Sequence, residues 1–459
     1  MSAVTKMSRF TLPHAAALGA AMAFAGVAAG QSRQIPAPPQ DKPIVVHSAT
    51  VHTVSGQTIA NGYVVFENGV VSAVGQGPPP AVRGAVMRDA TGLHVYPGLI
   101  AADTTLGLTE TGSVDVTQDM DEFGDFTPEA RCVIAINPDS DLIPVTRANG
   151  ILTALTSPSG GVVTGRNALI RLDGWTWEDM AIDAEAGLVM SWPRSGGGGF
   201  RGFGGGRPPG APGAPGGGDE DRANRYQQAI DEIERFFDDS LAYAKAKAND
   251  ETLETDLRFE AMRPYVLGED IIFISASTQE QIESAVAFAQ RRGLRIVIVG
   301  GQEADRAATM LAKYDVPVII GGLHRMPSAR HAAYDEPFTL PLRLHEAGVR
   351  FCIASGAEAA HERNLNHVAA TAAAYGLPRE IALRSVTVDA AEILGVGDKL
   401  GSIDIGKRAT LIVTTGDPLE ITTDVIMAYI DGRQIDLGSR HKSLYMKYRE
   451  KYRQLGLIE

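Results

Sequence analysis

Short alternating runs of apolar and polar residues at both ends of the chain predict β-strands. Residues 44–76 carry such runs, with hairpin signals at Asn61-Gly62 and Asn68-Gly69. Similar short strands return from Lys399 onwards. The shared pattern predicts one small β domain that is built from residues 44–94 and 399–437.

One stretch at the start of the central region predicts a strand that opens into a site. Val95 to Glu110, VYPGLIAADTTLGLTE, is interpreted as one buried strand with Pro97-Gly98 at its entry and the polar tip Asp103-Thr104-Thr105. In parallel barrels the chemistry sits at the carboxyl ends of the strands. Asp103 and Thr105 are therefore candidate site residues.

Further strands follow this stretch, and strands then alternate with helices. Gly150 to Leu155 and Ala168 to Leu172 read as two strands joined by a hairpin connection. An amphipathic helix begins at Asp219. Four apolar strands, each followed by a helical pattern, occupy residues 270–277, 295–301, 316–322 and 349–355.

This alternation is typical of parallel β/α units whose sheet is covered on both faces. Residues 95–398 have room for about eight such units, the number that a closed barrel uses. We predict a (β/α)8 TIM-like barrel, with a doubly wound open sheet as the alternative. Ser277 and Glu280 have the spacing of a capping box before one of its helices. A charged helix within the C-terminal segment 438–459 is predicted to dock on the outside.

Three segments lie outside the predicted domains or interrupt them. Residues 1–30 have a weakly basic start, an apolar Ala-rich run and a small-residue end, which matches a secretory signal peptide. Residues 31–43 read as a linker, and the Gly/Pro-rich residues 195–218 as a flexible surface insertion in the barrel. No later segment is apolar enough to span a bilayer. We therefore predict a periplasmic or secreted protein without a membrane span once the signal is removed.

Composition narrows the classes of function. The 459 residues are 44% hydrophobic and 21% charged, which suits a folded protein with a sizeable core. The net charge of −13 argues against nucleic acid as a partner. Two cysteines, Cys132 and Cys352, permit one disulfide in an oxidising compartment. Cys352 lies in the apolar run VRFCIAS, where a buried small hydrophobe is the favoured interpretation.

Three phrases carry a resemblance to a known family. NGYVVFENGVVSAVG, GLHVYPGLIAADTTL and TVDAAEILGVGDKLGSIDIGKRATLIVTTGDPL occur in the order found in the amidohydrolase superfamily, in particular its imidazolonepropionase-like branch. The resemblance covers Pro43 to Leu437. It implies a (β/α)8 barrel with a small β-sandwich from both chain ends, and a hydrolase that acts on carbon–nitrogen bonds other than peptide bonds.

The resemblance also implies metal ligands that this sequence does not retain. Similar amidohydrolases hold one or two divalent metals, commonly zinc, which activate a bound water. The ligand positions of the family fall here on Asp103 and Thr105 for the His-x-His pair, on Ser275 and Gly300 for the single histidines, and near Gly356 for the aspartate after strand eight. Without nitrogen ligands a tight zinc site is not expected, and no metal ligand is assigned.

Four histidines follow the last two predicted barrel strands, on the face where a site is expected: His324, His331, His361 and His367. They are candidates for a displaced metal cluster. Histidines in such loops more commonly lie on the surface or face a helix, and that interpretation is preferred.

Three functions are compatible with these residues, and the sequence leaves open whether the chain is an active enzyme. The first is an exported amidohydrolase for a small-molecule substrate. The second, favoured by the missing ligands, is a catalytically inactive ligand-binding protein or the partner subunit of an active homologue in a homo- or hetero-oligomer. The third is metal-free chemistry with Asp103 as general base, supported by the pocket candidates Thr105, Ser157, Arg166, Ser275 and Glu303. Asp103 also suits a strand-end cap, and Glu303 a helix N-terminus.

Overall fold

A computed structural model of the protein describes residues 34–194, 219–328, 330–356 and 358–459. The signal peptide predicted at residues 1–30 and the insertion predicted at residues 195–218 lie outside this part of the chain. Within it, no helix combines the length and apolar character that crossing a membrane requires.

The strands of the described residues form two sheets of eight. In chain order they are β1 (Ile44–Val51), β2 (Ile59–Glu67), β3 (Val70–Gln76), β4 (Val86–Asp89), β5 (His94–Pro97), β6 (Leu99–Thr104), β7 (Ile151–Thr156), β8 (Val163–Arg171), β9 (Ala181–Ser191), β10 (Ile271–Ala276), β11 (Arg295–Gly300), β12 (Val318–Ile320), β13 (Phe351–Ile353), β14 (Leu411–Thr414), β15 (Val425–Ile430) and β16 (Arg433–Gln434).

Most of the helices lie between the strands of the second sheet and after it. They are α1 (Leu142–Arg147), α2 (Trp177–Met180), α3 (Asp219–Asn249), α4 (Leu257–Val266), α5 (Gln279–Arg292), α6 (Ala308–Lys313), α7 (Glu336–Glu346), α8 (Leu365–Ala374), α9 (Arg379–Arg384), α10 (Val388–Ile393) and α11 (Arg440–Gln454). Short 3-10 helices occupy Asp115–Thr117, Cys132–Ala135 and Ala359–Asn364.

The first sheet joins the two ends of the chain, as the sequence predicted. Its strand order is β16-β15-β14-β5-β1-β2-β3, and β4 pairs with β1. The N-terminal strand β5 therefore lies between β1 and the C-terminal strand β14, with Val95 opposite Val413. In the apolar cluster of this sheet, the rings of Phe66 in β2 and Tyr429 in β15 pack edge to face, with 5.0 Å between the ring centroids.

The stretch from Val95 to Glu110 contains two strands and not one. β5 belongs to the first sheet and β6 to the second, so the chain changes sheets at Gly98. A Cβ atom on Gly98 would lie 2.8 Å from Leu152 Cδ1, so a larger residue does not fit without a shift. The prediction of a single strand is wrong because an apolar run alone does not reveal where strand pairing changes.

The second sheet is the predicted barrel, and its strands follow chain order from β6 to β13. All neighbouring pairs are parallel except those made by β8, which runs antiparallel to both β7 and β9. The predicted hairpin between the strands at 150–155 and 168–172 is thus confirmed. The barrel differs from eight regular β/α units at this point, because no helix separates β7 from β8.

Two backbone hydrogen bonds close the barrel between its last and first strands. The N–H of Ile353 in β13 donates to Ser385 O (3.1 Å), and the N–H of Ile100 in β6 donates to Val386 O (2.9 Å). The segment before α10 therefore bridges the two edges. As a result, the residues that follow β13 lie beside the end of β6.

Alternate strand residues separate the barrel interior from its helical layer. Inward residues such as Ile100, Leu155, Phe273 and Cys352 form one apolar cluster, together with residues of α10. Outward residues pack against the surrounding helices in a larger cluster. The predicted helix from Asp219 is confirmed as α3, and it contributes the buried Ile233 and Phe237 to that layer.

One detail of the helices differs from the sequence prediction. The capping box of α5 uses Thr278 and Gln281 in place of Ser277 and Glu280, because Thr278 has the extended backbone that lets its hydroxyl accept from Gln281 N–H. The C-terminal helix α11 lies on the outside with no buried residue, and its first turn contacts the body through Arg440, 3.5 Å from Asp141.

Cys132 and Cys352 are both free and buried in the structure. Burial raises the pKa of the Cys132 thiol to about 12, and it raises the pKa of Cys352 as well. Both residues therefore behave as small apolar side chains, which is the interpretation that the sequence favoured for Cys352.

A buried ion pair connects the barrel to the first sheet. Arg147 of α1 donates to Asp173 Oδ1 (2.7 Å) and to Leu172 O (2.9 Å), and both charged side chains are at least 95% buried. The second carboxylate oxygen of Asp173 accepts from Ala37 N–H (3.1 Å) and lies 3.4 Å from Arg433 Nη1 near β16. The Asp173 carboxylate thus holds groups from both ends of the chain against the barrel.

Replacing Asp173 by Ala should lower the free energy of unfolding by about 3–5 kcal/mol, because Arg147 would be left buried without its counter-ion. Asp238→Ala is the matched control. Asp238 also pairs with an arginine, Arg292 (2.6 Å), but its side chain is 66% exposed, and we expect a loss below about 1 kcal/mol. Urea unfolding of both variants measures the difference. Equal losses would contradict the role given to Asp173.

Candidate active site

Asp103 reaches the carboxyl end of the barrel through a β-bulge in β6. Ala101 pairs with Ala154 and Thr104 with Thr156, so two residues of β6 lie opposite the single Leu155. Without this bulge, Asp103 would share the outward face of Ala101, which packs in the helical layer. A β-bulge changes the direction in which the following side chains point, and the Asp103 side chain after this bulge is hydrogen-bonded to Ser157.

The environment of Asp103 favours the protonated carboxyl. Its side chain is partly accessible to solvent but surrounded by protein. Desolvation raises the pKa of Asp103 to about 6, although the hydroxyl of Ser157 donates to the carboxylate and opposes the rise. Ser157 is held in place by its own N–H, which donates to Thr104 O (2.9 Å).

A second buried carboxyl, Glu362, lies in the 3-10 helix that follows β13. Its side chain has no exposed surface, and its Oε2 atom accepts from Ser355 Oγ (2.8 Å). Among the described residues, the Oε1 atom has no hydrogen-bond partner. Burial raises the pKa of Glu362 to about 7, and the charge of Asp103 adds to the rise, whereas the hydroxyls of Ser355 and Thr104 lower it.

Asp103 and Glu362 therefore form a carboxyl pair between the first and last strands of the barrel. Burial disfavours the ionised form of both groups, and the charge of Asp103 opposes ionisation of Glu362 further, so the pair holds a proton more readily than two separate carboxyls in water. One ionised and one protonated carboxyl can accept and donate a proton in the same reaction. This is the arrangement that general acid–base chemistry uses.

Asn167 in β8 adds a second polar group without a partner. Leu155 pairs with Leu169 and both point into the barrel, so the register places Asn167 two residues along the same face, opposite Ser157. Asn167 is fully buried, and within the described chain neither Oδ1 nor Nδ2 makes a hydrogen bond. An unpaired amide in a protein interior is uncommon, and this one lies next to the residue that contacts Asp103.

The structure brings only some of the predicted site residues together. Ser157 contacts Asp103, as described above, and Thr105 follows directly at the half-buried end of β6. Ser275 lies at the end of β10 with its side chain exposed. Arg166 is engaged elsewhere, in an ion pair with Glu185 and a hydrogen bond to Glu129 O (2.9 Å).

Glu303 contacts the N-terminus of the preceding helix α5, and not that of its own helix, which was one of the two interpretations of the sequence. Its Oε2 atom accepts from Gln279 N–H (3.0 Å) in the first turn of α5, and its Oε1 atom pairs with Arg306 (3.0 Å). Both carboxylate oxygens are thus committed to structural contacts.

The four candidate histidines do not converge on one point. His324 Nε2 lies 2.8 Å from Thr371 Oγ1, His361 pairs with Glu358 (2.8 Å), and His331 is exposed. Burial lowers the pKa of His367, with His324 as a nearby positive charge. Over the described ranges, no group of three or more His, Cys, Asp or Glu side chains is placed to hold a metal ion.

Sequence reasoning missed Glu362 and Asn167. The aspartate expected after strand eight aligned near Gly356. Glu362 lies six residues beyond Gly356 in the sequence, but its carboxyl contacts Ser355, the residue directly before Gly356. No spacing rule marks this glutamate, because the loop also contains the exposed Glu358. Asn167 is a polar residue within an otherwise apolar, buried strand, and this pattern in the sequence could have marked it as a candidate site residue.

Comparison with known proteins relates this architecture to a known family. The model of the amidohydrolase family matches residues 247–435. The amidohydrolase tasK of Hapsidospora irregularis is 24% identical over 419 residues, which cover 81% of this chain but only 39% of that protein. The chain therefore spans well under half of the length of this curated relative.

Solved structures give the same picture of the fold. A crystal structure of an amidohydrolase from Thermotoga maritima MSB8 superposes with a TM-score of 0.72 at 25% identity, covering 86% of this chain and 99% of that one. A prolidase complexed with N-methylphosphonate-L-proline has a TM-score of 0.54 at 17% identity, covering 86% and 100% of the two chains, and shows likeness of fold alone.

The family model and the curated relative fall in the same group, and the Thermotoga maritima amidohydrolase shares the architecture along nearly its whole length. Residues 247–435 match the amidohydrolase family model, and the chain is similar to amidohydrolases in sequence and in fold.

Proposed function

We propose that this protein is a hydrolase for carbon–nitrogen bonds other than peptide bonds, and that Asp103 and Glu362 carry the acid–base chemistry. Similarity to amidohydrolases supports hydrolysis as the reaction class. The observation that carries the assignment to these residues is the pair of desolvated carboxyls, with pKa values of about 6 and 7, at the carboxyl ends of barrel strands.

The residues at this site do not fit the zinc centre that the family resemblance implies. Zinc in enzymes is held by three protein ligands rich in nitrogen or sulfur. The pair offers carboxyl oxygens. The Glu362 carboxyl accepts from Ser355 and the Asp103 carboxyl accepts from Ser157, and within the described ranges no His, Cys, Asp or Glu side chains gather around them in the number that a metal ion requires. We infer a reaction that proceeds without a resident metal.

In the proposed reaction the ionised carboxyl accepts a proton from a water molecule as the water oxygen attacks the carbonyl carbon of an amide. The carbon–nitrogen bond then breaks, and the protonated carboxyl gives its proton to the departing nitrogen. The products are a carboxylic acid and an amine, and the pair returns to one proton in total. Asp103, the more acidic member, is assigned as the base and Glu362 as the acid.

Hydroxyl groups of the same loops position the two carboxyls. Ser157 donates to Asp103 and Ser355 donates to Glu362 Oε2, whereas Oε1 is buried without a hydrogen-bond partner among the described residues. Such fixed hydrogen bonds reduce the side-chain freedom that a catalytic group would otherwise lose in the transition state.

Cyclic amides and N-acyl amino acids are the substrates to test first. The imidazolonepropionase-like branch and export through residues 1–30 both rest on sequence patterns and remain part of this proposal. The competing function is an inactive relative that binds a small molecule or supports an active homologue. Binding of a cyclic amide with no turnover under any condition would favour that alternative.

We expect the chelator-treated protein to hydrolyse at least one amide of such a panel. Asp103→Asn and Glu362→Gln should each lower kcat by about 10²–10⁴-fold, because each removes one proton-transfer group. Glu303→Gln is the control, since its carboxylate serves α5, and its kcat should stay within about twofold. Ammonia or amine release measures turnover. Activity that is lost in chelator and restored by zinc would contradict the metal-free reaction.

The dependence of kcat/KM on pH should be bell-shaped. The base must be ionised and the acid protonated, so kcat/KM should rise as the pH approaches about 6 and fall above about 7. Initial rates from pH 4 to pH 9 at subsaturating substrate measure the profile. A single alkaline plateau would contradict a pair that shares one proton.

The same pKa values predict a pH-dependent gain in stability when the pair is removed. Both carboxyls have higher pKa values in the folded state than in the unfolded state. The folded state therefore binds more protons than the unfolded state between about pH 4 and pH 7, and the protein loses stability as the pH rises through this window. The double variant Asp103→Asn, Glu362→Gln should therefore raise Tm by a few °C more at pH 8 than at pH 4. Thermal unfolding at both pH values measures this, and equal changes would count against the buried pair.

A further inference from the structure

The C-terminal helix α11 lies on the outside of the body, and each of its residues is exposed. None of its residues is buried, from Arg440 to Gln454. The side chain of Ser439 caps its start by accepting from Lys442 N–H, and Arg440 lies 3.5 Å from Asp141 beside α1. The first turn is therefore attached to the body, whereas the turns beyond it have no buried contact in the described chain.

An apolar and aromatic stripe follows one side of this helix. One face of the helix carries apolar and aromatic residues at intervals of three or four: Leu444, Tyr448, Tyr452 and Leu455. Tyr445 lies at the border of this face. These five side chains are between 41% and 64% exposed. A stripe of this kind normally packs against a core, and here its side chains keep about half of their surface exposed.

Basic side chains line both edges of the stripe. On one edge, at helical spacing, lie Lys442, Arg449 and Arg453, and on the other lie Arg440, Lys447 and Lys451. Glu450 is the single acid of α11 and lies on the opposite side with Ser443 and Gln454. The helix thus carries a net charge of +5, and because the whole chain carries −13, the remainder carries −18.

These features limit what can cover the helix. An isolated helix of 15 residues is marginal in water, so a surface that covers its apolar side would stabilise α11. Pairing of the stripe with α11 of a second copy would bring two sets of flanking positive charges together, which is unfavourable. The occupant must offer an apolar layer beneath a dense layer of negative charge.

We propose that α11 binds an anionic phospholipid surface. The stripe of Leu444, Tyr448, Tyr452 and Leu455 enters the boundary between headgroups and acyl chains, and the basic side chains on both edges extend to the lipid phosphates. The negative charge on the rest of the chain does not prevent this contact, because repulsion beyond about 10 Å is screened at physiological ionic strength. The helix lies on the membrane and does not cross it.

Sedimentation of the full-length protein with vesicles tests the proposal. We expect binding to vesicles of phosphatidylcholine with about 30% phosphatidylglycerol, because anionic lipid attracts clustered Lys and Arg side chains near the surface. Vesicles of phosphatidylcholine alone should bind at least about tenfold less protein, and 0.5 M salt should release most of the bound protein. Equal binding to both vesicle types, or none to either, would overturn the proposal.

Two double variants with the same change in net charge separate the defined face from general electrostatic attraction. Arg449→Gln with Lys451→Gln removes one charge from each edge, and Ser443→Glu with Gln454→Glu adds two negative charges to the opposite side. The first should weaken binding at least about fivefold and the second by less than about twofold. Equal weakening of vesicle binding by both double variants would overturn the proposal that one defined face of α11 binds the lipid. A wild-type dimer that the first double variant abolishes would identify a second copy of the chain as the partner of this face.

Discussion

Closure of the barrel is the constraint on which the candidate site depends. A strand edge that stays open exposes unpaired N–H and C=O groups, and here one N–H of each edge strand, in Ile353 and in Ile100, donates to the carbonyls of Ser385 and Val386. The same two hydrogen bonds place the end of β6 beside the loop after β13. Asp103 and Glu362 are 259 positions apart in the sequence, and only closure makes them neighbours.

The carboxyl pair has a thermodynamic cost that its surroundings partly offset. Desolvation raises both pKa values, which means that folding disfavours the ionised forms. Ser157 and Ser355 each donate one hydrogen bond, but Glu362 Oε1 and the amide of Asn167 are left without partners in the described residues. Unsatisfied groups of this kind are concentrated where proteins bind or transform ligands, and elsewhere they are selected against.

The barrel scaffold leaves the chemistry to the side chains at its mouth. The barrel and the sheet from both chain ends resemble those of a solved amidohydrolase. The mouth carries Asp103, which contacts Ser157, and Glu362 on a 3-10 helix. Because function resides in these side chains and not in the barrel itself, the proposed reaction rests on them.

The sequence by itself determined the fold class, the β domain from both ends and the helix from Asp219, because alternation and helical spacing are local and survive in a single sequence. It also singled out Asp103, since a polar tip on an apolar strand is a local feature. Only the tertiary structure decided that the stretch from Val95 holds two strands, that β8 runs antiparallel, and that Glu362 and not Glu358 is buried. Pairing partners, bulges and desolvation depend on residues distant in sequence, and no local pattern encodes them.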